Sequence, residues 1–134
     1  MKNLKDKVAV ITGGASGLGF AMAQRFAQEG VKIVLADIED GPLQTAVGRL
    51  EQAGVDTLGI KCDVSVGEDV ENLARQTMEH FGSINIVCNN AGVAPSGLIW
   101  EHSTQDWDWE MGPDAWGVIH GIRVSTPSVL NQKE

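Results

Sequence analysis

The sequence predicts an α/β fold: a doubly wound parallel sheet with helices on both faces. Three observations carry this. Short apolar runs rich in β-branched residues alternate with stretches of helical periodicity. The connections between them are brief, as in repeated strand–helix–strand units. The first run also ends in a glycine-rich turn, Thr12-Gly13-Gly14-Ala15-Ser16-Gly17-Leu18-Gly19, that leads directly into a helical pattern.

Lys7 to Thr12 reads as a buried strand. Leu18 to Gln28 carries apolar residues at helical spacing (Leu18, Ala21, Met22 and Phe26), and Gly30 closes the helix. Val31 to Ala36 is a second strand, ended by Asp37. Leu43 to Gln52 is helical, with Gly41-Pro42 at its start and Gly54 beyond its end. Thr57 to Cys62 is a third strand, interrupted by Gly59. Val66 to Phe81 is a helix, with Ser65 as N-cap and Glu68 completing a capping box. Ile84 to Cys88 is a fourth strand.

After Asn89 the character changes. Ala91 to Gly97 is a loop rich in Gly, Pro and Ser, and Ser103 or Thr104 opens a helical stretch. All four tryptophans lie here: Trp100, Trp107, Trp109 and Trp116. Trp109 and Trp116 are seven residues apart and are expected to share one face, as a packed core or interface stripe. Gly112-Pro113 interrupts the stretch. Proline removes a helical hydrogen bond and clashes with the preceding turn, so the helix is expected to kink at Met111, or to end there with a second helix following.

Composition narrows the function classes. The 134 residues suit one domain, 43% apolar and 21% charged. A formal net charge of -8 opposes phosphate backbones and anionic membranes, and Lys2, Lys5 and Lys7 are scattered and offset by Asp6. No nucleic-acid or membrane partner is expected. Val8 to Ile11 is too short for a signal-peptide core or a membrane span. Cys62 and Cys88 read as small buried hydrophobes, no cysteine or histidine spacing suggests a metal, and a reduced cytoplasmic setting is expected. The histidines His80, His102 and His120 read as ordinary packed or surface residues.

The glycine turn carries the chemistry. Gly13, Gly17 and Gly19 follow a strand and open a helix, so a pyrophosphate can approach backbone amides at the positive end of the helix dipole. The spacing is TGxxxGxG rather than GxGxxG. Asp37 lies 18 residues after Gly19 at the end of the second strand. A carboxylate there accepts hydrogen bonds from both ribose hydroxyls of an adenosine and repels a 2′-phosphate. Ile38 follows it, with no Arg or Lys nearby, which favours NAD over NADP.

Together with Cys62-Asp63-Val64 and Asn89-Asn90-Ala91-Gly92, these motifs resemble the classical short-chain dehydrogenase/reductase family over nearly the whole chain. The resemblance implies a Rossmann-like sheet and a hydride transfer between NAD(H) and an alcohol or carbonyl substrate. It assigns cofactor contacts to Gly13, Ser16, Gly17, Leu18, Gly19, Asp37, Ile38, Asp63, Val64, Asn90, Ala91 and Gly92. Leu18 would lend an amide to the pyrophosphate, and Asp63 would reach the adenine amino group beside the Val64 backbone. Asn90, Ala91 and Gly92 would line the ribose on the nicotinamide side, whereas Asn89 would brace the fourth strand.

The same resemblance exposes what is missing. The family's proton donor is a tyrosine, with a lysine four positions later and a substrate-orienting serine. This chain has no tyrosine, and Ser125, Ser128 and Lys133 do not form the motif. The family's catalytic asparagine corresponds to Asp114, preceded by Pro113. No catalytic residue is therefore assigned. Residues 1–134 are expected to form a single, C-terminally incomplete NAD-binding domain, its sheet truncated after about four strands and the following helix. The fourth strand would then be an edge, and an apolar face on the tryptophan helix, which resembles the family's oligomer-forming helix, would favour association. Such a chain is expected to have little or no turnover alone. The alternatives are a non-catalytic NAD(H)-binding or interaction module, or one half of a split oxidoreductase.

Overall fold

The computed structural model describes residues 3–132; Lys2 and Lys133 lie outside them. Four parallel strands form one sheet in the order β3-β2-β1-β4: β1 Val8–Thr12, β2 Lys32–Asp37, β3 Thr57–Lys61 and β4 Ile86–Cys88. Register runs Val8 to Lys32 and Ala9 to Ile86. The central strands are apolar and buried through their middle residues because helices cover both faces, as expected of parallel sheets. Alternate residues divide into two cores. Ala9, Ile11, Ile33 and Leu35 pack with α1 (Gly17–Gln28) and α2 (Asp40–Gln52). Val8, Val10, Val34 and Ala36 point the other way, into a core with Val70 and Leu73 of α3 (Gly67–Phe81) and Val124 and Val129 of α5 (Gly117–Leu130).

Between β4 and α5 the chain forms a single-turn 3-10 helix (Ile99–Glu101) and then α4 (Thr104–Met111). Ser103 and Asp106 close a reciprocal capping box at the start of α4, which holds the Asp106 carboxyl below its usual range. As expected, α4 ends at Met111 and a second helix follows, but no loop separates the two. Gly112–Trp116 forms a π turn, closed by the Gly117 N–H donating to the Gly112 carbonyl, and continues as α5. The extra residue of a π turn relieves the hydrogen bond that proline cannot make. It also shifts the helical register, so the seven-residue spacing no longer aligns the tryptophans. Trp109 faces a large cleft, whereas Trp116 stacks on His120 with ring centroids 5.8 Å apart. None of the four tryptophans belongs to the core; they are 37–76% exposed.

Three other expectations are corrected. First, α2 begins at Asp40 and takes Gly41 and Pro42 into its first turn, where a missing N–H costs nothing. Second, Ser65 does not cap α3. Its backbone and hydroxyl both donate to Asp63 Oδ1, at 2.9 and 2.6 Å, and Val66 stands at the cap without a side-chain bond. Third, β4 starts at Ile86, because the Asn85 side chain is occupied in accepting the Val8 N–H at 2.9 Å.

α5 approaches the sheet closely through Gly117, Gly121 and Ser125, its three buried residues. A β-carbon on Gly121 would stand 2.0 Å from Asn89 Oδ1, and one on Gly117 2.6 Å from a Val64 methyl. This close packing swings α4 and the π turn over the C-terminal ends of the strands.

Candidate functional site

A cleft of about 640 Å³ opens at those strand ends. It is lined by the turn after β1, the end of β2, the segment after β3, the loop after β4, and α4 with the π turn. Eleven of the twelve residues singled out from the sequence line it: Gly13, Ser16, Gly17, Leu18, Asp37, Ile38, Asp63, Val64, Asn90, Ala91 and Gly92.

Gly19, the twelfth, lies behind the wall. A β-carbon there would come within 2.1 Å of the Gly13 carbonyl oxygen. Its role is to let α1 start directly beneath the turn. Gly13 and Gly17 both have positive φ, +61° and +52°, which side chains disfavour. They differ in surroundings. A β-carbon on Gly13 would meet the Ala91 backbone at 2.9 Å, whereas one on Gly17 would enter open space.

The start of α1 is bare. Ser16 occupies the N-cap in an extended conformation without a side-chain hydrogen bond, and no acidic residue stands in the first turn. The Phe20 amide is the first to bond back, to the Ser16 carbonyl. The amides before it open at a cleft lined by Ser16, Gly17 and Leu18, where the dipole of a twelve-residue helix presents its positive end.

Asp37 spans two elements. One carboxylate oxygen accepts the Ala15 N–H at 3.1 Å and the other the Glu39 N–H at 3.2 Å. Each oxygen keeps a further lone pair. Asp63 faces the same cleft, turned by its bonds to Ser65, while its own N–H donates to Asp69 Oδ2 at 2.9 Å. Between them Cys62 is buried, and its thiol is pushed up to about 12, first by burial and then by the Asp69 and Asp63 carboxylates. That sulfur is no nucleophile at neutral pH.

The loop after β4 is tied to the glycine turn by a hub that sequence reading missed. The Thr12 hydroxyl accepts N–H bonds from Asn90 at 3.0 Å and Ala91 at 3.1 Å, and donates to the Cys88 carbonyl at 3.3 Å. Asn90 Nδ2 donates to the Thr12 and Gly13 carbonyls. Asn90 therefore both lines the cleft and braces it. Asn89, expected to brace the fourth strand, points toward α5, and its Oδ1 is buried without a partner. The missed signal was a threonine ending a wholly buried strand, where its hydroxyl must find partners.

Asp114, in the π turn, fixes the far wall. Its Oδ1 accepts the Val93 N–H at 2.8 Å and lies 2.8 Å from where a Gly92 β-carbon would stand. The cleft is acidic throughout: Asp37, Glu39, Asp63 and Asp108 line it, and among the described residues no Lys, Arg or His does. No group of three metal-ligating side chains occurs among the described residues, and no helix there is long and apolar enough to cross a membrane.

Comparison with known proteins gives a consistent picture. A family model described as short chain dehydrogenase matches residues 7–134. The chain is 35% identical over 133 residues to a CLA biosynthesis dehydrogenase/reductase of Lactiplantibacillus plantarum, covering 99% of this chain and 46% of the relative. It is 38% identical over 131 residues to a C alpha-dehydrogenase of a Sphingobium species, covering 97% and 43%. Among solved structures, a short chain dehydrogenase/reductase from Burkholderia phymatum in complex with NAD superposes with a TM-score of 0.96 at 45% identity, covering all of this chain and 48% of that one. The chain thus spans about half the length of the curated relatives it matches.

Proposed function

The chain belongs to the short-chain dehydrogenase family, and from that premise we propose that it binds NAD across the C-terminal ends of its strands, as the nucleotide-binding part of an oxidoreductase. The observation that carries this is the bare start of α1, with no acidic first turn, opening on a cleft large enough for a dinucleotide.

In this reading the amides of Gly17 and Leu18 hold the pyrophosphate. Asp37, with a free lone pair on each oxygen, accepts the ribose hydroxyls. Asp63 and the Val64 backbone meet the adenine. Asn90, Ala91 and Gly92 line the second ribose. A 2′-phosphate at Asp37 would face Glu39 as well and no cation, which supports NAD over NADP. When bound, the nicotinamide supplies or accepts a hydride. The protein's part here is to orient the nucleotide and screen it from water.

Proton transfer is a different matter. The sequence has no tyrosine, and Asp114 stands where the family's pattern has an asparagine. We therefore assign these 134 residues binding without turnover. A cytoplasmic setting accords with two unpaired cysteines, one buried. Association between copies through the tryptophan-bearing segment accords with the exposure of Trp100, Trp109, Trp116, Ile119 and Ile122.

Trp109 in the cleft wall provides the test. NADH titration should quench tryptophan fluorescence saturably, while an alcohol-oxidation assay shows no rate. Failure to bind NADH at millimolar concentration overturns the cofactor reading. Measurable turnover overturns the assignment of binding alone.

A further inference from the structure

β2, β1 and β4 are successive neighbours in the sheet, so the end of β4 lies two strand spacings, about 10 Å, from Asp37. A dinucleotide whose adenosine sits at Asp37 therefore carries its nicotinamide toward the loop after β4 and the π turn. The wall at that end has its own electrostatic character. The Asp114 carboxylate is pinned there by the Val93 amide and lies against Gly92, with Asp108 and the indole of Trp109 on the adjoining surface. No cation among the described residues lines the cleft to offset them.

We infer that Asp114 makes this site discriminate between redox forms, favouring the cationic oxidised nicotinamide over the neutral reduced ring. The two forms share adenosine, pyrophosphate and both riboses, and they differ in charge only at the ring. A fixed carboxylate behind the wall acts on that difference alone, attracting the pyridinium and leaving the dihydropyridine indifferent. Trp109 lines the same cleft, and an aromatic ring whose face meets a cation attracts it in the same sense. The inference rests on the dinucleotide reading above and deepens it by naming a specificity-determining residue.

Asp114→Asn is a discriminating variant. The amide oxygen can still accept the Val93 N–H, so the wall keeps its brace while the charge is lost. Calorimetric titration of NAD+, NADH and ADP-ribose into both proteins reads the effect. ADP-ribose, which has no nicotinamide, should bind both alike. The ratio of NAD+ to NADH affinity should fall about threefold to tenfold in Asp114→Asn, as expected for one unit charge screened as at a protein surface. In the unaltered protein, rising ionic strength should lower the same ratio as the carboxylate is screened; this arm stands even if the variant fails to fold. Binding with a ratio unmoved by both the substitution and salt overturns this inference alone. Absence of ADP-ribose binding to the unaltered protein overturns the dinucleotide reading and this inference with it.

Discussion

Replacing Gly19 by alanine tests how the cleft is built. The added methyl would stand 2.1 Å from the Gly13 carbonyl oxygen and 2.7 Å from Asn90 Nδ2. An ordinary carbon–oxygen contact is about 3.3 Å, so the start of α1 and the glycine turn must separate by about 1.2 Å. The neighbouring atom is backbone and cannot swing away. Overpacking of this kind costs about 1–3 kcal/mol. The shift also strains the two bonds from Asn90 to the Thr12 and Gly13 carbonyls, each worth about 1 kcal/mol. Alanine's better helix propensity returns about 1 kcal/mol. The net loss is about 3 kcal/mol, or about 1.5 M in urea midpoint at a slope of about 2 kcal/mol per molar. Gly48→Ala is the control: Gly48 lies within α2, where a β-carbon meets nothing within 4 Å, and it should gain about 0.5–1 kcal/mol. Urea unfolding of both variants decides. If Gly19→Ala is as stable as Gly48→Ala, the close seating of α1 beneath the turn is wrong.

Other outcomes follow from the same geometry. Thr12→Val keeps the shape but leaves the Asn90 and Ala91 amides without their acceptor; a loss of about 2–4 kcal/mol is expected by denaturant titration, and an unchanged midpoint would show that the hub is incidental. Asp37→Ala removes the acceptor of the Ala15 and Glu39 amides along with the proposed ribose partner; NADH affinity should fall about tenfold or more in fluorescence titration, and equal affinity would clear Asp37 of that role. Cys62 has its thiol raised from 9.0 to about 12. Its folded form therefore favours the protonated state, so this contribution to stability is complete below about pH 9 and fades as pH rises toward 12. Thermal unfolding from pH 8 to 11 should show a decline that Cys62→Ala lessens, and iodoacetamide should label Cys62 only after unfolding.

The parallel order of the fold was legible because buried runs such as Val8–Thr12 and Lys32–Asp37 alternate with amphipathic helices. The cleft was legible for the same reason, since its residues cluster where strands end. What escaped sequence reading depends on three-dimensional competition for hydrogen bonds. Ser65 has the spacing of a cap, yet the Asp63 carboxylate two residues before it takes both its donors. Pro113 has the look of a helix breaker, yet a π turn accommodates it. That turn rotates Trp116 out of line with Trp109 and brings the Asp114 carboxylate to the Val93 amide, 21 residues away in sequence. Asn89 and Asn90 are chemically identical, and only the side each faces decides which one braces the turn.

The central claim is that a dinucleotide lies across the strand ends with its pyrophosphate on the bare start of α1. Amide chemical-shift mapping during NAD+ titration tests it most directly. Shifts are expected at Gly13 to Gly19, Asp37 and Ile38, Asp63 and Val64, and Asn90 to Gly92. Shifts confined to the separate surface groove between α1 and α2, around Gln24, Arg49 and Val55, or no shifts at millimolar NAD+, would contradict it.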